Sequence, residues 1–187
     1  MTKEEFIAKV KNFEGFRSQA YRDSGGTLTI GYGKTDNVKV GDTISKEVAE
    51  QELIKRLATL ETYVRSYFNG YLHLTNDEIY AFTDFVFNCG IGNLSLLTAN
   101  KTRTKEEIYE RIVLYNKCSG KSLRGLTKRR KWEQSLFNVE IPLTPTMRAQ
   151  SFINDFLSKN GSTTTLKVDG IFGEKTFSAL QECFNLL

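Results

Sequence analysis

Two hydrophobic periods alternate along the chain, and each change of period marks an element. Thr2 and Glu5 form a T-x-x-E box, followed by Phe6, Ile7, Val10 and Phe13 at helical spacing and then by Gly15. This predicts a first helix that stops at the glycine. The period then falls to two. Leu28, Ile30 and Tyr32 alternate with Thr27, Thr29 and Gly31, behind a Ser24-Gly25-Gly26 turn, which is the signature of a β-hairpin. From Ser45 the helical period returns, and Leu53, Leu57, Leu60, Val64 and Tyr67 share one face of a long helix ending near Asn69-Gly70. Boxes at Thr75–Glu78 and Thr104–Glu107 open two more helices, through Ile79, Phe82, Phe85 and Val86 and through Ile108, Ile112 and Tyr115. A further helix is expected over 127–137. The pattern describes an α+β protein, mainly helical, with a small β-ribbon inserted early.

Both prolines fall within Ile141-Pro142-Leu143-Thr144-Pro145, the best linker candidate. It separates a domain at 1–140 from a short helical segment at 145–187, with helices expected over 146–159 and 173–184. At just over forty residues that segment is near the lower limit for folding alone, and it is expected to lean on the larger domain.

Composition narrows the chemistry. A single histidine, His73, excludes a multi-histidine metal site, and neither metal nor cofactor is expected. Cys89, Cys118 and Cys183 are odd in number and far apart, so they read as reduced, mostly buried thiols. No stretch approaches the roughly 20 apolar residues of a membrane span. The first dozen residues read as an amphipathic helix rather than a secretory leader, so folding in a cytoplasm is expected. The net charge of +4 is unevenly spread. Between 101 and 131, eleven lysines and arginines face only Glu106, Glu107 and Glu110, whereas beyond 145 four basic residues balance four acidic ones. The basic stretch suits a polyanion, either nucleic acid or a bacterial wall, and charge does not choose between them.

Three side chains near the first helix form a candidate reaction site. Glu14 stands at the helix end, where the negative pole of the backbone dipole favours the protonated carboxyl that a proton donor needs. Asp23, just before the glycine-rich turn, is expected to be solvated and ionised. Thr29 lies on the strand face opposite Leu28 and Ile30, so its hydroxyl can point into a cleft while those two face the core. Two carboxylates in different environments plus a hydroxyl fit glycoside hydrolysis.

The spacing makes the case more specific. The run Glu14-Gly15-Phe16-Arg17-x3-Tyr21-Arg22-Asp23-x2-Gly26-x2-Thr29-Ile30-Gly31-Tyr32-Gly33 resembles the signature of the phage-type lysozymes, glycoside hydrolase family 24. Downstream, Asp84-Phe85-Val86-Phe87-Asn88-Cys89-Gly90-x-Gly92 looks like the family's F-N-x-G-x-G helix end. Tyr115-Asn116-x3-Gly120-x4-Gly125-Leu126-x2-Arg129-Arg130 looks like its later glycine- and arginine-bearing segment. The resemblance implies Glu14, Asp23 and Thr29 as a catalytic triad and an inverting cleavage of the β-1,4 bond between N-acetylmuramic acid and N-acetylglucosamine. It also implies that Arg129 or Arg130 pairs with Glu14 and orients it. Asn88 is either a plain helix end or a cleft residue beside the acid. One position departs from the pattern: Lys34 stands where the family usually has a structural histidine paired with an acid.

In the C-terminal segment, Val168-Asp169-Gly170-x-Phe172-Gly173-x2-Thr176 resembles peptidoglycan-binding helical domains found beside wall hydrolases. That implies wall contact through Asp169, Gly170 and Phe172; the plainer alternative is a helical cap on the main core. By family resemblance the chain is expected to be a monomeric endolysin that binds no membrane and no nucleic acid, with peptidoglycan as its partner. It would be held in the host cytoplasm until a holin pore releases it. The alternatives are a lytic transglycosylase, a non-catalytic wall-binding protein on the same fold, and a nucleic-acid binder using the basic stretch.

Overall fold

Side-chain capping opens four of the helices. Thr2 and Glu5 form a reciprocal capping box that opens α1 (Lys3–Glu14), and Gly15 follows as its C-cap. β1 (Arg17–Arg22) and β2 (Leu28–Gly31) pair antiparallel, with Tyr21 opposite Thr29. Ser45 caps α2 (Lys46–Phe68), which runs for 23 residues. Thr75 and Glu78 close the second box at α3 (Asn76–Cys89). α4 (Ile91–Leu97) follows, and the third box opens α5 (Lys105–Ile112). A two-residue ribbon, β3 (Lys117–Cys118) with β4 (Lys121–Ser122), precedes α6 (Arg124–Ser135). Two further helices, α7 (Pro145–Lys159) and α8 (Glu174–Asn185), complete the chain. This computed structural model describes residues 1–23, 25–118, 120–139 and 145–186. Ser24 of the expected turn and residues 141–144 of the expected linker lie outside the described residues. Pro145 opens α7, a position where a proline's missing N–H costs nothing.

The chain divides into two compact units, Met1–Val139 and Glu140–Leu187. The first holds two apolar clusters. Phe6 and Val10 of α1 pack with Tyr32, with Ala49, Leu53 and Leu57 of α2, and with Tyr80 and Phe87 of α3. The C-terminal half of α2 joins α3, α4 and α5 in the other cluster, around Phe68, Phe82, Phe85, Leu94, Leu97, Ile108 and Ile112. α3 belongs to both, and every residue from Glu78 to Phe87 is buried. A helix buried on all sides must neutralise its own charges internally, which matters for Asp84 below. The second unit closes on Ile153, Leu157, Leu166 and Ala179.

Five features depart from the sequence expectations. α4 and the β3–β4 ribbon were not anticipated, and α6 begins at Arg124 rather than 127, without a capping side chain to mark its start. Cys118 is exposed, whereas Cys89 and Cys183 are half-buried, and all three are free thiols; the expectation of mostly buried thiols therefore fails at Cys118. Finally, the two-residue alternation of β2 breaks down, since Thr29, Ile30 and Gly31 are all buried.

Candidate active site

Glu14 is the last residue of α1, and its side chain remains 18% exposed. Its Oε1 accepts a hydrogen bond from Arg129 Nη1 at 2.6 Å. Arg129 is buried, and it donates from Nε and Nη2 to the two oxygens of Asp84 at 2.8 and 2.6 Å. A guanidinium gripped through two nitrogens of one edge by a fully buried carboxylate has little freedom left, so its remaining Nη1 presents a fixed donor to Glu14. Of the two candidate arginines, Arg129 meets the acid. Arg130 instead donates through Nη2 to Glu133, and its Nη1 contacts the Cys89 sulfur.

The backbone after β2 closes against the same carboxylate. Gly33 has φ +83°, and a Cβ there would stand 3.3 Å from Glu14 Oε2. The turn therefore requires a residue with no side chain, both for its left-handed backbone and for its approach to the acid. The neighbouring Lys34 donates to Glu52 Oε1 of α2 at 2.5 Å, so the position where the family usually carries histidine holds an ion pair here. Both partners are well exposed, which keeps the pair a weak fastener.

Asp23 is exposed, as expected, and is shaped by its own turn. Its Oδ1 accepts from the backbone N–H groups of Gly25 and Thr27 at 2.9 and 2.8 Å. Thr29 is 4% exposed, and its hydroxyl donates to the Thr27 carbonyl at 3.2 Å rather than opening to a cleft. Asp23 and Asn88 line one cleft of about 720 Å³ with Asn93, Tyr115 and Lys117. That is room enough for a sugar unit. Glu14 and Thr29 do not line it. The nearest link is Cys89, which lines the cleft and touches Arg130.

Charge is concentrated behind Glu14. Burial works against the Arg129 cation, but the hydrogen bonds and charge of Asp84, with Glu14 adding to them, outweigh it and hold Arg129 protonated beyond its ordinary range. Burial pushes the Cys89 thiol up, against the pull of Arg130 and Arg129. It also pushes the Glu133 carboxyl well up, and the charge of neighbouring Asp84 adds to the effect.

In the second unit, Asp169, Gly170 and Phe172 sit on one loop. The buried Gln150 of α7 organises that loop, accepting at Oε1 from the Asp169 and Gly170 N–H groups and donating at Nε2 to the Asp169 carboxylate. Backbone donation from Ile171, with Gln150 behind it, holds the Asp169 carboxyl below its usual range. Ile171 and Phe172 are 68% and 56% exposed. The sequence reading missed Asp84, Glu133, Glu52 and Gln150. Only Asp84 carried a local signal, an acid inside the apolar run from Ile79 to Phe87.

Among the described residues no group of His, Cys, Asp and Glu could hold a metal ion, and no helix is long and apolar enough to cross a membrane. A family model described as phage lysozyme matches residues 11–133. An endolysin of Acyrthosiphon pisum secondary endosymbiont phage 1 is 31% identical over 141 residues, 72% of this chain and 95% of that protein. Among solved structures, the endolysin from Escherichia coli O157:H7 phage FAHEc1 is 28% identical with a TM-score of 0.60, covering 73% of this chain and 92% of that one. The muramidase domain of SpmX from Asticaccaulis excentricus is also 28% identical, with a TM-score of 0.59, over 75% of this chain and 99% of that domain. Glu14, Asp23, Thr29, Asn88 and Arg129 all fall inside the matched span, and the chain belongs to the phage lysozyme family.

Proposed function

We propose that Glu14 is the general acid of a muramidase that cleaves the β-1,4 bond between N-acetylmuramic acid and N-acetylglucosamine in bacterial peptidoglycan. The chain is a peptidoglycan-hydrolysing enzyme of the endolysin class, and its family membership supports that activity. The observation that carries the assignment of the acid is the 2.6 Å bond from the anchored Arg129 to Glu14. It fixes the carboxyl group while leaving it accessible, and proton delivery to a leaving oxygen needs both. Asp23, exposed and held by its turn, would activate a water on the opposite face of the sugar ring, giving inversion. Thr29 supports that turn through its bond to Thr27. Asn88 would face the glycan in the cleft that it shares with Asp23.

Residues 1–140 act in this reading as the catalytic domain and 145–187 as a wall-binding segment, with Asp169, Gly170 and Phe172 at its contact loop. The enzyme works as a monomer, and its basic 101–131 stretch serves the anionic wall rather than nucleic acid. Following the family's role in lysis, it leaves the host cytoplasm through a holin pore. Export of the intact chain from cells without a holin would overturn that last point.

The test is digestion of purified peptidoglycan by the wild-type chain and by Glu14→Gln, with mass analysis of the fragments. Reducing-end muramic acid from the wild type and no product from the variant are expected. Anhydro-muramic ends would identify a transglycosylase and remove the role of Asp23. Binding without cleavage by the wild type would leave a wall-binding protein.

A further inference from the structure

The buried charge cluster behind the acid contains one carboxyl group that the mechanism above does not use. Glu133 of α6 has no exposed surface, and its Oε1 accepts from Arg130 Nη2. Among the described residues no donor reaches its Oε2, although that atom is fully buried. Its neighbour is the carboxylate of Asp84, also fully buried, whose two oxygens already accept from Arg129. Two ionised carboxylates cannot lie side by side away from water, whereas one proton between them turns the orphaned oxygen into a donor.

We propose that Glu133 is a positioning residue of the reaction, a neutral carboxylic acid whose Oε2–H donates to Asp84 and so fixes the Asp84–Arg129 fork that holds Glu14. Facing Glu133 are Asp84 from α3 and Arg129 and Arg130 from its own helix; behind them, Cys89 of α3 touches Arg130 and Glu14 of α1 is reached through Arg129. With Glu133 neutral and Cys89 a thiol, Asp84 is the one buried carboxylate between the two guanidinium cations, and Arg129 keeps a donor free for Glu14. Ionising Glu133 would place a second negative charge against Asp84 and weaken the grip on Arg129. The direction of its titration agrees, since burial and then Asp84 hold the proton on far above the usual glutamate range.

A carboxyl group that keeps its proton on folding makes its full contribution to stability below the unfolded-state glutamate range. That contribution is lost as pH rises toward the folded-state value. Glutamine mimics the neutral acid, with an oxygen to accept from Arg130 and an amide to donate to Asp84. Three measurements on the full chain test the proposal. Glu133→Gln should fold and keep kcat within about threefold of wild type. As pH rises above the unfolded-state glutamate range, the wild-type folding constant should fall relative to Glu133→Gln by up to tenfold per pH unit, the linkage of one proton, and level off where the folded-state acid ionises. Glu133→Leu, which cannot donate, should lose kcat at least tenfold with KM little changed, a loss that glutamine rescues. A folded but inactive Glu133→Gln, a Glu133→Gln that fails to fold, or parallel stability profiles would each overturn the proposal. So would a fully active Glu133→Leu. If the leucine variant does not fold, the two glutamine measurements decide. The inference rests on Glu14 as the acid; an active Glu14→Gln enzyme would refute that reading separately, and the stability profile does not depend on activity at all.

Discussion

At the scale of single residues, the site is defined by which charge answers which. Glu14 keeps partial access to solvent, while Asp84, Arg129, Arg130 and Glu133 are buried behind it. Removing one partner of such a cluster leaves the other uncompensated away from water. Arg129→Ala should therefore lose about 3–5 kcal/mol of stability in urea denaturation, as well as peptidoglycan clearing. Arg129→Lys preserves the charge but cannot make the bidentate grip on Asp84 while reaching Glu14. It is expected to fold and to lose at least tenfold in kcat; wild-type turnover would show that the fork geometry does not matter. Asp84 was visible in the sequence as an acid within an apolar helix. Its partner was not, because Arg129 lies 45 residues further on and adjoins a second arginine of the same type.

At the scale of elements, local signals and long-range ones separate cleanly. The three T-x-x-E boxes involve residues three positions apart, so the sequence states both partners, and all three form. α4 follows Gly90 as its N-cap and carries Gly92 in its first turn, so neither a capping side chain nor strong propensity announces it. α6 starts behind Leu123, which offers no capping oxygen. Two substitutions should divide accordingly. Thr104→Ala removes one cap of α5 and should cost about 1 kcal/mol of stability without altering kcat. Gly33→Ala should cost about 1–2 kcal/mol for its left-handed backbone, and it should also reduce kcat because the new methyl group crowds Glu14. Unfolding curves alongside lysis rates would distinguish the two, and an unimpaired kcat for Gly33→Ala would refute the crowding.

At the scale of the molecule, the first unit carries the buried charge cluster and the basic stretch, and the second carries a small core of its own. A chain ended after Val139 is expected to cleave solubilised glycan at close to the full rate but to sediment less with intact walls. Equal sedimentation would remove the wall-binding role of the second unit. The first unit's bond between Glu14 and Arg129 spans 115 positions of sequence, nearly the whole of that unit. Glu14 is among the first residues synthesised, whereas the arginine that orients it is made only after α2 through α5. Closing so long a loop is entropically expensive and comes late. A nascent or prematurely terminated chain thus carries the acid without its holder, and catalytic competence arrives in a single step once synthesis has passed α6.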